Sequence, residues 1–188
     1  ARVVMTATPH VLVAGEHAVD LAASFGINTR VNLWTDRTRR RWEDVEPPVT
    51  DVRNQLAWVS DNFGGHDTVG AVASDGERVA TSTSTGGRWF ALAGRVGDVP
   101  QIGSGFYASE AGAASATGAG EDIARETLAR EAVHYLEAGQ DPQSAASRTI
   151  ADFEARRSSA AGVIVMDVDR NAGSAHCSER MQTARGHQ

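Results

Sequence analysis

The pair Asp75-Gly76 stands between two β-prone runs, TVGAVAS at 68–74 and RVATSTST at 78–85. Asp-Gly in this setting marks a β-hairpin, because glycine readily adopts the positive φ that a tight turn needs. Gly86-Gly87 ends the second run. A two-stranded hairpin on its own is barely stable in water. Residues 68–85 therefore need a second layer to lie against, and the rest of the chain has to supply it.

The downstream sequence offers suitable material. GAASAT at 112–117 reads as a strand leading into Gly118-Ala119-Gly120. A helix is expected from about Glu121 to Ala138. There Ile123, Ala124, Leu128, Ala132, Tyr135 and Leu136 keep helical spacing, and Gly139 follows. Asp141 as cap and Pro142 in the first turn open a second helix, running to about Arg156. Two closing strands are expected at Gly162–Val168 and, after the turn DRNA, at roughly Gly173–Ser178. Residues 88–110 are Gly-rich and read as irregular.

Upstream, residues 1–7 read as the end of a helix stopped by Pro9, and His10–Ala14 as a short strand. Glu16–Phe25 reads as a helix with Gly26 as its C-cap. Residues 27–65 have the texture of a linker. Thr35 is placed to cap a helix carrying Arg37–Arg41, Pro47-Pro48 breaks the chain, DVRNQLAWV at 51–59 is a helix candidate, and Asn62–Gly65 is a flexible loop. Strands, then helices, then strands make an α+β chain in which sheets are covered by helices.

Composition removes several classes of function. With 24 acidic and 18 basic residues and a net charge of −6, the chain lacks the positive field of a general nucleic-acid binder. The Arg37–Arg41 cluster, beside Glu43 and Asp44, reads as a solvated helix face. No apolar run approaches a membrane span, and ARVVMTATPH is not laid out as a signal peptide, so a cytoplasmic protein is expected. Every basic residue is Arg, which removes a Schiff-base lysine and a P-loop lysine. The one cysteine, Cys177, removes an intrachain disulfide and any multi-cysteine zinc site, and it reads as a quiet packed residue. His134 reads as structural. No metal-ligand spacing or Ser/His/Asp order stands out, and no cofactor is expected.

What does stand out is the density of Thr, Ser and Gly between 66 and 120, in four segments: GGHDTVGAVA, TSTSTGG, GRVGDVP and SATGAGE. Each has an ordinary reading. Thr81, Thr83 and Thr85 suit an edge strand. Glycine-rich pieces are turns. Arg95 and Asp98 fit a local surface ion pair. Gly118-Ala119-Gly120 fits a tight helix entry, or a phosphate-binding one.

Taken together and in this order, the segments resemble the N-terminal-nucleophile (Ntn) hydrolases that include plant-type L-asparaginase, isoaspartyl peptidase and glycosylasparaginase. HDTVGAVA resembles the self-cleavage site, and TSTGG, GRVGDxP and ATGxGE follow at family-like distances. ARVVMTATPHVLVAGEHAVDLAASFGI resembles the helix–strand–helix stretch before the variable linker. The resemblance implies one αββα four-layer sandwich over 1–188, cut between Asp67 and Thr68 into an α part (1–67, with the linker at 27–65) and a β part (68–188). It implies Thr68 as nucleophile, Thr85 tuning its hydroxyl, and Thr117 with the Gly118 amide as oxyanion hole. Arg95 would hold the substrate α-carboxylate and Asp98 the α-ammonium. A threonine hydroxyl is a poor nucleophile without a base, and cleavage makes one, since a free α-amino group titrates near pH 7.7–8.0.

The implied substrates are L-asparagine and β-aspartyl dipeptides, with N-glycosyl-asparagine as the alternative, and the implied assembly is a homodimer of αβ units. Nucleic acid, membrane and metal are not expected as partners. The chain departs from the family pattern in two places. It starts late: family members carry several dozen residues, including a Gly-rich strand, before the segment matched by 1–26. A chain without that strand is expected to expose a sheet edge. Val99 also stands where the family usually has Ser. A rival from another class is an uncleaved, non-catalytic scaffold.

Overall fold

A computed structural model describes residues 1–45, 58–59 and 67–186. The chain divides into two compact units, Ala1–Asn62 with Leu92–Gly94, and Phe63–Ala91 with Arg95–Gln188.

The first unit carries three short helices: α1 (Arg2–Ala7), α2 (Glu16–Ser24) and α3 (Asp36–Glu43). Thr35 caps α3 as expected: its hydroxyl accepts from the Thr38 N–H at 3.2 Å, while the Thr38 hydroxyl accepts from the Thr35 N–H at 2.9 Å. None of the residues of these helices is buried. The strand expected over His10–Ala14 does not form. A strand is made by its partner's hydrogen bonds, and no described residue pairs with this one. The helix candidate over 51–59 and the loop over 62–65 lie largely outside the described residues.

The second unit opens with the hairpin. Strands β1 (Thr68–Ser74) and β2 (Val79–Thr85) pair antiparallel, from Thr68 opposite Thr85 to Ser74 opposite Val79. The connection spans residues 75–78, so β2 starts one residue later than the run RVATSTST implies. The Asp75 carboxylate accepts from the N–H groups of Glu77 (2.9 Å) and Arg78 (2.7 Å), and these bonds pull its pKa down to about 2.

A second sheet has the order β3-β4-β5-β6, all antiparallel, from β3 (Phe106–Ser109), β4 (Gly112–Gly118), β5 (Ala161–Asp167) and β6 (Ala172–His176). Strand β3 falls within the stretch expected to be irregular. It has only four residues and takes its order from β4. Three further helices follow β4: α4 (Gly120–Glu126), α5 (Leu128–Glu137) and α6 (Pro142–Arg156). The single helix expected over Glu121–Ala138 is thus two. Thr127 takes a left-handed conformation (φ 46°, ψ 51°) that breaks the ladder, although the apolar spacing runs on through it.

This unit stacks three layers. The hairpin lies on one face of the larger sheet: Thr81 donates to the Ala114 carbonyl (3.0 Å), and the Thr83 hydroxyl meets both the Gly105 carbonyl (3.0 Å) and Ser115 Oγ (2.7 Å). On the other face α5 and α6 close the core around Leu128, Val133, Phe153, Val163 and Val165. Each of these large side chains contributes roughly 1.5–3 kcal/mol by leaving water. Residues Gly112–Ala116 of β4 are covered on both faces, so their sequence is small throughout rather than alternating. That thinness lets the hairpin sit close enough for direct hydroxyl bonds. No helix among the described residues is long and apolar enough to cross a membrane.

Candidate active site

The hairpin register brings the first candidates together. Thr68 and Thr85 face each other across β1 and β2, and the Thr68 hydroxyl lies 3.4 Å from that of Thr85. The Thr85 hydroxyl donates to the Asp67 carbonyl at 2.6 Å and accepts from the Gly87 N–H at 3.0 Å. Its one proton is therefore committed to the carbonyl that precedes Thr68. A hydrogen bond there draws electron density from the Asp67 carbonyl carbon, the atom a neighbouring hydroxyl would attack.

Thr117 and Gly118 end β4, the strand under the hairpin. They line one cleft with Asp67 and Thr68, about 360 Å³ in volume. Its remaining wall comes from Ala160–Gly162 and from the segment after β6. The Thr68–Thr117–Gly118 grouping expected from sequence is thus a real juxtaposition, formed where β1 crosses the end of β4.

Arg95 and Asp98 are not among the described residues that line that cleft. Both gather over Gly120: a Cβ there would come within 2.5 Å of Asp98 Oδ1 and 2.7 Å of Arg95 Nη2. Glycine at this helix entry leaves the room they occupy. Asp98 is not half of a surface ion pair; it is 6% exposed. Its Oδ2 is buried with no hydrogen-bond partner among the described residues, and burial pushes its carboxyl above the usual carboxylate range.

The Arg95 guanidinium grips Glu121 with two parallel bonds, Nε to Oε1 at 2.7 Å and Nη2 to Oε2 at 2.9 Å. Arg88 Nη1 reaches the same carboxylate at 3.2 Å. Burial alone would raise the Glu121 pKa, but the hydrogen bonds from Arg95 and Arg88 hold it below its ordinary value. Sequence reading passed over Glu121. The only available sign was its place as the last residue of SATGAGE, in the first turn of a helix, where an acidic residue is unremarkable. Cys177 packs half-buried against the core, as expected. Among the described residues no three His, Cys, Asp or Glu side chains converge on a metal position.

A family model described as asparaginase matches residues 1–188. The chain belongs to the asparaginase family. Relatives include a plant-type L-asparaginase of Pyrococcus furiosus, 35% identical over 98% of this chain, and an isoaspartyl peptidase/L-asparaginase of Xenopus laevis, 40% identical over 89%. An N(4)-(beta-N-acetylglucosaminyl)-L-asparaginase of Elizabethkingia miricola is 32% identical over 80%. The match spans 62% of the Pyrococcus protein's length and 53% of the Xenopus protein's.

Proposed function

We propose that this chain is a self-cleaving N-terminal threonine amidohydrolase acting on the side-chain amide or β-peptide bond of aspartyl substrates. The observation that carries the reading is the single cleft in which the Asp67–Thr68 junction meets Thr117 and Gly118. In self-cleavage the Thr68 hydroxyl adds to the Asp67 carbonyl carbon while Thr85 donates to the carbonyl oxygen. The C–N bond breaks, the Thr68 nitrogen leaves as an amine, and water hydrolyses the resulting ester. An α part then ends at Asp67 and a β part begins at Thr68.

The freed amine, titrating near pH 7.7–8.0, then takes the proton of the hydroxyl on the same residue. That hydroxyl attacks the side-chain carbonyl of the substrate. Thr117 and the Gly118 N–H receive the oxyanion, where one donor is worth roughly 10²–10³ in turnover. The protonated amine returns its proton to the leaving nitrogen, and water releases aspartate from Thr68. Arg95, its plane fixed by Glu121, offers a bidentate partner to the α-carboxylate. The unpartnered Asp98 oxygen suits the α-ammonium, because a buried carboxylate is stabilised by an opposite charge. The four-layer αββα sandwich over 1–188 and the homodimer of αβ units belong to this reading as well. The Elizabethkingia relative favours a glycosylamine as the second choice of leaving group.

Mass spectrometry of the purified full-length protein tests the cleavage. We expect a fragment beginning at Thr68, and none in Thr68→Ala, which also loses ammonia release from asparagine. A chain that stays whole on long incubation supports the inert scaffold instead.

A further inference from the structure

The lining of the cleft that holds Thr68 includes one arginine. Among its described lining residues Arg180 is the single cation and Asp67 the single anion. No hydrogen bond or ion pair among the described residues engages the Arg180 guanidinium; only its backbone carbonyl is used, accepting from Ser178 Oγ at 3.1 Å.

The segment that presents this side chain is anchored on both sides. Before it, the Cys177 N–H donates to the Ala161 carbonyl at 2.9 Å, and the Ala161 N–H returns to Cys177 Sγ at 3.2 Å. After it, Met181 Sδ fills the space where a side chain at residue 162 would begin, 2.4 Å from the place a Cβ would occupy. Gly162 is thus a slot for Met181. The Ser178 carbonyl is met by His176 Nδ1 at 2.9 Å. An exposed cationic residue in the lining of the Thr68 cleft, with no partner for its guanidinium among the described residues, can meet an anion from outside.

The chemistry of the leaving group says which anion. Ammonia released from asparagine carries nothing for a guanidinium to hold. The amino acid released from a β-aspartyl dipeptide carries a free α-carboxylate, and it departs from the Thr68 side of the acyl carbon. Once the Asp67–Thr68 bond is cut, Asp67 is no longer tethered in the cleft as a competing anion. We propose that Arg180 receives the α-carboxylate of the leaving amino acid, so that this cleft takes β-aspartyl dipeptides in preference to asparagine. The inference rests on the reading of Thr68 as nucleophile.

The test is steady-state kinetics of the full-length, self-cleaved protein on three substrates: L-asparagine, a β-aspartyl dipeptide, and the same dipeptide with an amidated C-terminus. The wild type should favour the free acid over its amide. Arg180→Gln should lose roughly tenfold or more in kcat/KM on the free acid, mainly through KM, as loss of a charge-assisted contact does. It should stay within about twofold of wild type on the other two substrates, where no such contact exists. Arg180→Lys should recover part of the loss. Equal treatment of acid and amide by the wild type overturns the proposal, and that comparison does not depend on any variant folding. An equal loss on all three substrates in Arg180→Gln also overturns it. A wild type that turns over none of the three overturns the reading of Thr68, and this inference with it.

Discussion

Asp98 combines burial with an oxygen that nothing described satisfies, and the two together make it costly to the folded protein. Its folded-state pKa lies above the unfolded one, so its stabilising contribution belongs to the protonated form and is lost as pH rises through that raised value. Glu121 has the opposite sign: its pKa is lowered, and its contribution disappears as pH falls through the depressed value. Asp98→Asn should therefore raise Tm by a few degrees at pH 7 and by less at pH 4, while raising KM for any substrate with an α-ammonium. A melt showing the variant less stable at pH 7 would contradict this account. At this scale the sequence was most legible where chemistry and spacing coincide. Thr68, Thr117 and Gly118 are marked by their motifs and do share a cleft. Glu121 was not legible, because nothing in a local pattern reveals that an arginine 26 residues upstream folds back onto it.

Helices and strands were read well where neighbours agree with local preference. The α6 start at Asp141-Pro142 and the hairpin around Asp75-Gly76 are cases in point. The misses turn on which partner a segment meets rather than on its own residue preferences. β3 exists because β4 offers it hydrogen bonds. His10–Ala14 has the right residues and no strand partner among the described residues. The break between α4 and α5 is subtler, since Ile123, Leu128 and Ala132 keep an unbroken apolar spacing across it. The kink at Thr127 turns α5 so that both Ile123 and Leu128 are fully buried. A β-branched residue at φ 46° is held there against its own preference. Thr127→Gly should stabilise the protein by up to about 1 kcal/mol, the strain relieved less the added chain entropy. Denaturant unfolding measures it, and a loss of stability would mean that the Thr127 side chain matters more than its backbone.

At the scale of the whole chain, the layer order of the second unit follows from residue size. Small residues run through β4, so a hairpin can lie on one of its faces and a helix pair on the other. The α+β class and the covering of sheets by helices were therefore visible in sequence. The closeness of the layers was not, because it depends on which face each alanine meets. The turn that joins β1 to β2 also bears on how the molecule ages. Among aspartyl junctions Asp-Gly is the most open to ring closure, since glycine offers no side chain to hinder attack of its nitrogen on the aspartyl side chain. Opening of the resulting succinimide leaves a β-linked aspartate in the backbone. Both reactants are occupied here: the Gly76 nitrogen donates to Ser74 Oγ at 3.0 Å, and the Asp75 carboxylate is ionised and tied to two backbone N–H groups. Succinimide formation at residue 75, followed by peptide mapping, should be many-fold slower in native protein than in urea, and equal rates would show the turn to be unprotected. If so, a molecule proposed to sever β-linked aspartyl bonds keeps its own most vulnerable junction from turning into one.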